Sequence, residues 1–128
     1  MSTVPPKRTR FAGMGASFGY AWRGLRIHFA TQPNARLHLL AAIAVCAAGW
    51  WWKIAALEWC AVVGAIGLVW TVEALNTALE FYTDLVSPEL HPLAGKAKDV
   101  AAGAVLAASV TSATIGAIIF VPKIAASF

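Results

Sequence analysis

Acidic and amide side chains recur at steps of three and four between residues 73 and 84. The segment reads E-A-L-N-T-A-L-E-F-Y-T-D, and its regularly spaced polar residues are Glu73, Asn76, Glu80 and Asp84. On an α-helix that advances about 100° per residue, these four side chains lie within roughly 80° of arc. Carboxylates stacked one turn apart repel one another unless they bind a cation, and their hard oxygen atoms suit Mg²⁺. This set, called the acidic stripe below, predicts a cation site on one helix face.

A second polar cluster follows in the sequence and contains Lys96, Lys98 and Asp99. A lysine ammonium can neutralise a phosphate as a point charge. Asp99 has two interpretations: it caps a helix N-terminus, where an acid favours the helix dipole, or it takes part in the site. Together with the acidic stripe, the cluster predicts a metal and anion site, but these residue types alone do not specify a reaction.

The acidic stripe also has a purely structural interpretation. Asn76 and Thr77 could bond across helices, and Glu80 or Asp84 could pair with lysine or arginine, so that the stripe only holds helices together. Four polar positions on one arc, beside a lysine and an aspartate, favour the metal and anion site.

The chain is more apolar than a soluble domain of its size. Of its 128 residues, 59% are hydrophobic and 12% charged, and the mean hydropathy is +0.68. The apolar residues form long blocks, which predicts a membrane protein. The net charge is +4, and six of the ten lysine and arginine residues lie before position 37. Beside spanning helices, such basic residues indicate membrane topology, so we expect no nucleic-acid partner. Cys46 and Cys60 lie in apolar stretches without metal-ligand spacing and are interpreted as packing residues.

The pattern predicts an all-α membrane protein, with an N-terminal amphipathic surface helix followed by three transmembrane helices. Residues 1–8, which contain Pro5 and Pro6, are predicted to be a disordered arm, and residues 9–128 a single domain. Apolar side chains at steps of three and four predict the surface helix. Its predicted bounds are about 9–29, and the spans are about 37–52, 54–72 with the helix continuing to about 85, and 100–121.

The distribution of lysine and arginine predicts the orientation. The arm, the surface helix and the 84–99 segment carry Lys7, Arg8, Arg10, Arg23, Arg26, Arg36, Lys96 and Lys98, whereas the other side carries only Lys53 and Lys123. Because positive charge concentrates on the cytoplasmic side, we expect a multi-pass protein of the inner or plasma membrane. Its N-terminus would be cytoplasmic and its C-terminus outside.

Three segments together resemble the prokaryotic diacylglycerol kinases and their undecaprenol kinase relatives. They are the acidic stripe, E-L-H-P-L-A-G-K-A-K-D at 89–99, and S-F-G-Y-A-W-R-G-L at 17–25. The likeness extends over about residues 10–122. It implies a homotrimer of three-span subunits with active sites between subunits, which uses ATP as co-substrate and Mg²⁺ to phosphorylate the hydroxyl of a membrane lipid.

The resemblance also implies roles for single residues. Glu73 would be the general base that takes the proton of the lipid hydroxyl, and Glu80 a magnesium ligand. The residues implied to bind or enclose the nucleotide are Ser17, Tyr20, Asn76, Asp84, Lys98 and Asp99. No Walker A loop occurs in the sequence, and none is expected in this family.

Gln32 departs from the family pattern. Family members usually carry a glutamate four residues before the arginine that matches Arg36, and this glutamate joins the metal site. Glutamine offers a neutral oxygen, so one anionic ligand is replaced. His38 is interpreted as an inner-interface residue, His91 as loop geometry, and His28 receives no role beyond the surface helix.

Two other classes of function stay open. The first is a small oligomeric transporter or channel subunit in which Glu73 and Glu80 relay cations, and the second is a non-catalytic membrane adaptor. Polar groups concentrated at one side of the membrane favour the kinase over a transporter. Between the two lipid alcohols, diacylglycerol and undecaprenol, the resemblance favours undecaprenol, because the Arg36-x-His38 pair and the H-P-L-A segment at 91–94 look closer to the undecaprenol kinases.

Overall fold

Four α-helices make up the computed structural model, which describes residues 13–128. They are α1 (Met14–Thr31), α2 (Pro33–Trp51), α3 (Ala56–Val86) and α4 (Pro92–Ala125). The described residues contain no strand, so the all-α class is confirmed. The predicted arm at 1–8 and the start of the surface helix at 9–12 lie outside the described residues.

A single residue, Gln32, separates α1 from α2. Pro33 occupies the first position of α2, where its missing N–H and fixed φ suit a helix start. Arg36 then reaches back to α1: its Nε donates to the Phe29 carbonyl at 3.0 Å and its Nη2 to the Ala30 carbonyl at 2.7 Å. Because the last carbonyls of a helix have no partner within the helix, Arg36 caps α1 and fixes the corner.

The corner between α2 and α3 depends on a close approach at Gly49. A Cβ atom there would lie 2.9 Å from the Trp59 ring and 3.0 Å from the Ile54 side chain. Lys53, in the turn that follows α2, adopts a positive φ of 49°. Ile54 also belongs to the buried core, with Val62 on α3 and two residues of α4, Ile119 and Phe120.

α3 and α4 form the most extensive helix pair and run antiparallel. An ion pair of 2.5 Å joins Lys98 Nζ to Asp84 Oδ1 at the loop end, and another of 2.8 Å joins Lys123 Nζ to Glu58 Oε1 at the opposite end. Between them, Ser112 Oγ donates to the Ala65 carbonyl at 3.0 Å. The hairpin is therefore fixed at both ends and in the middle.

α3 and α4 are long and apolar enough to cross a membrane. Both expose large apolar side chains, among them Leu57, Val63, Leu106 and Ile118. α2 does not meet the same standard, since Asn34, Arg36 and His38 interrupt the apolar pattern near its start. Two candidate spans are thus present among the described residues.

α4 differs from its sequence-based prediction at both ends. It begins at Pro92, one residue after the loop, and its N-cap is His91, whose ring accepts a hydrogen bond from the Leu93 N–H at 3.1 Å. His91 therefore lies in the loop, as interpreted, and its ring in addition caps α4. Asp99 lies about two turns inside α4, so its predicted capping role was wrong.

The third span was predicted to end at about residue 121, directly before Pro122, but α4 continues through this proline to Ala125. A proline removes one backbone donor, and membrane helices tolerate this where neighbouring groups satisfy the freed carbonyl. The extra turn brings Lys123 to Glu58 and Ser127 Oγ within 3.3 Å of Trp52 Nε1.

Candidate active site

Glu73 lies buried on α3 with only 5% of its surface exposed. Its Oε1 is 3.2 Å from His38 Nε2 on α2. Its Oε2 is also buried and has no hydrogen-bond partner among the described residues. Ionisable groups at membrane depth are costly unless they are paired or functional. One carboxylate oxygen of Glu73 is thus held by α2, while the other can accept a proton or a cation.

Asn76 and Glu80 continue the acidic stripe toward the loop. Asn76 Nδ2 donates to Glu80 Oε1 at 3.4 Å, and Asn76 Oδ1 is buried without a partner in the described part of the chain. Glu73 Oε2 and Asn76 Oδ1 are therefore two buried acceptors that lie one turn apart on the same helix. Buried acceptors are normally satisfied, so a pair of this kind suits a ligand that brings a donor or a positive charge.

Thr77 connects the stripe to α1. The Thr77 hydroxyl donates to the Glu73 carbonyl at 3.0 Å. His28 Nδ1 lies 3.0 Å from the oxygen of this hydroxyl, Thr77 Oγ1. Since the hydroxyl has one proton, which the carbonyl receives, Nδ1 of His28 must be the donor to Thr77. His28 and Thr77 are both buried, and their hydrogen bond joins α1 to α3 one turn after Glu73.

Asp84 and Lys98 form the loop-side end of the site. Their side chains are 63% and 41% exposed, which leaves the ammonium accessible to an anion from solvent. The ion pair with Asp84 holds the Lys98 side chain at this end of the hairpin. Asp84 lies three helical turns, about 16 Å, beyond Glu73 along α3.

The other predicted site residues lie apart from the stripe. Ser17 and Tyr20 are exposed on α1, Gln32 is half-buried between α1 and α2, and Asp99 is exposed on α4. Within residues 13–128, no side-chain hydrogen bond or ion pair joins Ser17, Gln32 or Asp99 to the stripe. Residues 13–128 also contain no group of three or more His, Cys, Asp or Glu side chains that could bind a metal.

The structural interpretation of the stripe is correct for one of its members, Asp84, and for the adjacent Thr77. Thr77 bonds across helices to His28, and Asp84 pairs with Lys98, as that interpretation expects. Asn76 instead bonds within α3, and Glu73 keeps one oxygen open. Helix bracing and a polar site therefore share the same helix face.

An apolar groove of about 560 Å³ lies between α2, α3 and α4. Its walls are mostly alanine and branched side chains, including Ala42, Val45, Val69 and Ile115, and it extends to Phe120 near the far end of α4. His38 lines the groove and also contacts Glu73. His38 therefore links the wall of the groove to the buried carboxylate.

Sequence reasoning missed the two histidines that contact the site. His38 was placed only at an interface and His28 was given no role, yet one contacts Glu73 and the other contacts Thr77. One signal could have found His38: it lies near the start of α2, at the predicted membrane depth of Glu73, and a buried carboxylate requires a partner.

Comparisons with known proteins all indicate the same family. The model of the prokaryotic diacylglycerol kinase family matches residues 19–120. The chain is 42% identical over 108 residues to an undecaprenol kinase of Bacillus subtilis (strain 168), covering 84% of this chain and 88% of that protein. It is 40% identical over 109 residues to a diacylglycerol kinase of Synechocystis, covering 84% of this chain and 62% of that protein.

A third relative extends the comparison to a more distant sequence. The chain is 31% identical over 104 residues to the diacylglycerol kinase of Escherichia coli (strain K12), covering 81% of this chain and 85% of that protein. The matched residues include all of α2 and α3 and most of α4. The chain therefore belongs to the prokaryotic diacylglycerol kinase family.

Proposed function

We propose that this chain is a lipid kinase that transfers the γ-phosphoryl group of ATP to the hydroxyl of a membrane lipid. Membership of the family and the names of the relatives support the activity. The observation that carries the proposal is the geometry of Glu73, whose Oε1 contacts His38 while its buried Oε2 stays open.

Glu73 serves as the general base of this reaction. Its Oε2 takes the proton of the lipid hydroxyl, and the hydroxyl oxygen forms a bond to the γ-phosphorus. The bond between that phosphorus and the β–γ bridging oxygen breaks, so the products are a lipid phosphate and ADP. The proton on Glu73 returns to solvent. Phosphoryl transfer needs positioning and charge neutralisation more than covalent chemistry, which a base and a lysine can supply without a Walker A loop.

The nucleotide is proposed to bind toward the loop side of the acidic stripe. Lys98 carries the exposed positive charge that suits the phosphates, and Asp84 holds it there. Asn76 lies between this pair and Glu73 on α3. Ser17, Tyr20 and Asp99 are proposed to complete the nucleotide pocket, because the resembled motif extends through these positions.

Oxygen donors of the stripe fit Mg²⁺ in their chemistry. Glu80 and the open Asn76 Oδ1 are hard ligands one turn apart. The family pattern implies that Gln32, which lies apart from them in one chain, would supply a third oxygen. When bound, the ion neutralises charge on the phosphates. The described part of one chain does not assemble a group of three acidic, histidine or cysteine ligands. The homotrimer implied by the resemblance would place further ligands from a neighbouring copy at this site.

We propose three spans, α2, α3 and α4, with α1 on the cytoplasmic surface. The end of α2 exposes Trp50 and Trp51 by 82% and 79%, beside Lys53, as expected of an interfacial anchor. The N-terminus would then be cytoplasmic and the C-terminus outside, and the site would lie at the inner face of the cell membrane.

The groove beside Glu73 supports a lipid with a long apolar chain. Its walls contain few polar groups, and its polar end is His38, next to the base. A terminal hydroxyl on a flexible hydrocarbon chain would meet Glu73 at this point. The relative with 42% identity is named undecaprenol kinase, so we propose undecaprenol as the preferred acceptor and diacylglycerol as the second candidate.

A transfer assay tests the proposal. The purified chain in mixed detergent and lipid micelles would be supplied with γ-labelled ATP and either undecaprenol or diacylglycerol, with and without EDTA. We expect label in the lipid phosphate, faster with undecaprenol, and loss of transfer with EDTA. If neither lipid is labelled by a folded, oligomeric sample, the kinase assignment is wrong. Cation flux in liposomes that requires neither ATP nor Glu73 would favour the transporter.

A further inference from the structure

His38 on α2 contacts the buried carboxylate of Glu73, at 3.2 Å between Nε2 and Oε1. An ionised carboxylate only accepts hydrogen bonds, so Nε2 must carry the proton in this contact. The contact occupies Oε1 and leaves Oε2 without a partner among the described residues. The two oxygens of Glu73 are therefore made inequivalent by His38.

The element that carries His38 is itself firmly placed. Ala35 and Ala42, which lie one turn before and one turn after His38, are 1% and 8% exposed, so His38 points from the packed face of α2. Two residues before His38, Arg36 binds the Phe29 and Ala30 carbonyls and fixes the start of the helix. The imidazole is thus presented to Glu73 from a rigid support.

We propose that His38 is a positioning residue that orients the carboxylate of Glu73, so that Oε2 faces the lipid hydroxyl. The inference rests on the proposed kinase function. Without the donor from His38, the Glu73 side chain would rotate among orientations in which either oxygen, or neither, faces the hydroxyl. A base must lie within hydrogen-bond reach of the proton that it removes, so this loss would lower turnover.

A positioning role for His38 predicts a different result from a role in which His38 only holds α2 and α3 together. A positioning residue acts on turnover and leaves ATP binding unchanged, because His38 contacts Glu73, whereas Asp84 and Lys98 lie about three helical turns away at the loop-side end of the stripe. It also depends on a donor at the place of Nε2. Glutamine carries an amide nitrogen at a similar reach, whereas leucine has a similar bulk and no donor.

The experiment compares His38→Gln and His38→Leu with the parent chain in the lipid-labelling assay. We expect His38→Leu to lower kcat by about tenfold to a hundredfold, the range seen when a group that orients a functional ligand is removed. The KM for ATP should stay within about twofold, because His38 contacts Glu73 and not the Asp84–Lys98 pair at the loop-side end. His38→Gln should restore kcat to within roughly threefold of the parent, since the donor is kept.

A matched control is His91→Asn, which replaces another histidine on the loop side but keeps an N-cap acceptor for α4. Its kcat and its elution as an oligomer should equal those of the parent. A His38→Leu protein with parental kcat, or a His38→Gln protein as slow as His38→Leu, would overturn the positioning role while the kinase function stands. A parent chain that labels no lipid would overturn the kinase function and this role with it.

Discussion

His28 on α1 donates from Nδ1 to Thr77 Oγ1 on α3, and the same Thr77 oxygen donates to the carbonyl of Glu73. Helix α1 is thereby bonded to α3 at Thr77, one turn from Glu73. Both side chains are buried, so the bond is shielded from water and from competing partners.

Thr77→Val should test this connection. Valine has nearly the same shape but no hydroxyl, so the buried Nδ1 of His28 would lose its partner at a cost of about 1–3 kcal/mol. We expect a lower thermal unfolding midpoint in detergent and faster tryptic cleavage at Arg23 and Arg26. Thr114→Val is the control, because Thr114 is exposed and its hydroxyl bonds only to the Val110 carbonyl of its own helix. Equal effects of the two substitutions would contradict the proposed connection.

Glu73→Gln should abolish lipid phosphorylation. The amide cannot take a proton, and a general base contributes about 10²–10⁴-fold to rate. The variant should elute as the same oligomer as the parent on gel filtration, since glutamine can still contact His38. Glu89→Gln, an exposed acid in the loop between α3 and α4, should leave the labelling rate unchanged. Retention of more than about a tenth of the parental rate by Glu73→Gln would remove Glu73 from the role of base.

The two ion pairs of the α3–α4 hairpin offer a comparison of like with like. Lys98→Met breaks the pair with Asp84, and Lys123→Met breaks the pair with Glu58 at the other end. If Lys98 binds phosphate, its replacement should raise the KM for ATP by about tenfold or more, as loss of a charged contact does. Lys123→Met should leave that KM unchanged. A similar KM in both variants would show that Lys98 only braces the hairpin.

Gln32→Glu should leave activity equal or higher when Mg²⁺ is scarce. The substitution restores an anionic oxygen, which a hard divalent cation prefers to a neutral one. The measurement is the labelling rate over a titration of free Mg²⁺, with Asn34→Asp as the control, since Asn34 is an exposed amide two residues further along. A large loss of activity in Gln32→Glu would instead identify Gln32 as a ligand tuned to be neutral.

Local patterns predicted most of the helices well. The polar residues of the acidic stripe keep a helical spacing, so the continuation of the second span to about residue 85 was predicted, and α3 ends at Val86. The start of α4 was placed too late, because Lys96, Lys98 and Asp99 made the segment resemble a polar loop. Pro92 at the first helical position and His91 as cap start the helix well before its apolar part.

The contacts between helices were harder to predict. His38 and Glu73 lie far apart in sequence, and no periodicity relates them, since their pairing depends on how α2 packs on α3. The same holds for His28 and Thr77. A polar residue inside a membrane signals that a partner exists, but the sequence does not say which of the three histidines supplies it.

The junction between α1 and α2 consists of Gln32 alone, which restricts the movement of one helix relative to the other. A swing of α1 away from the bundle requires that Arg36 release two carbonyls and that His28 release Thr77. Since Thr77 also bonds the backbone of Glu73, a movement of α1 away from α3 would disturb the proposed base at the same moment. The position of α1 and the orientation of Glu73 are thus coupled through a single threonine side chain.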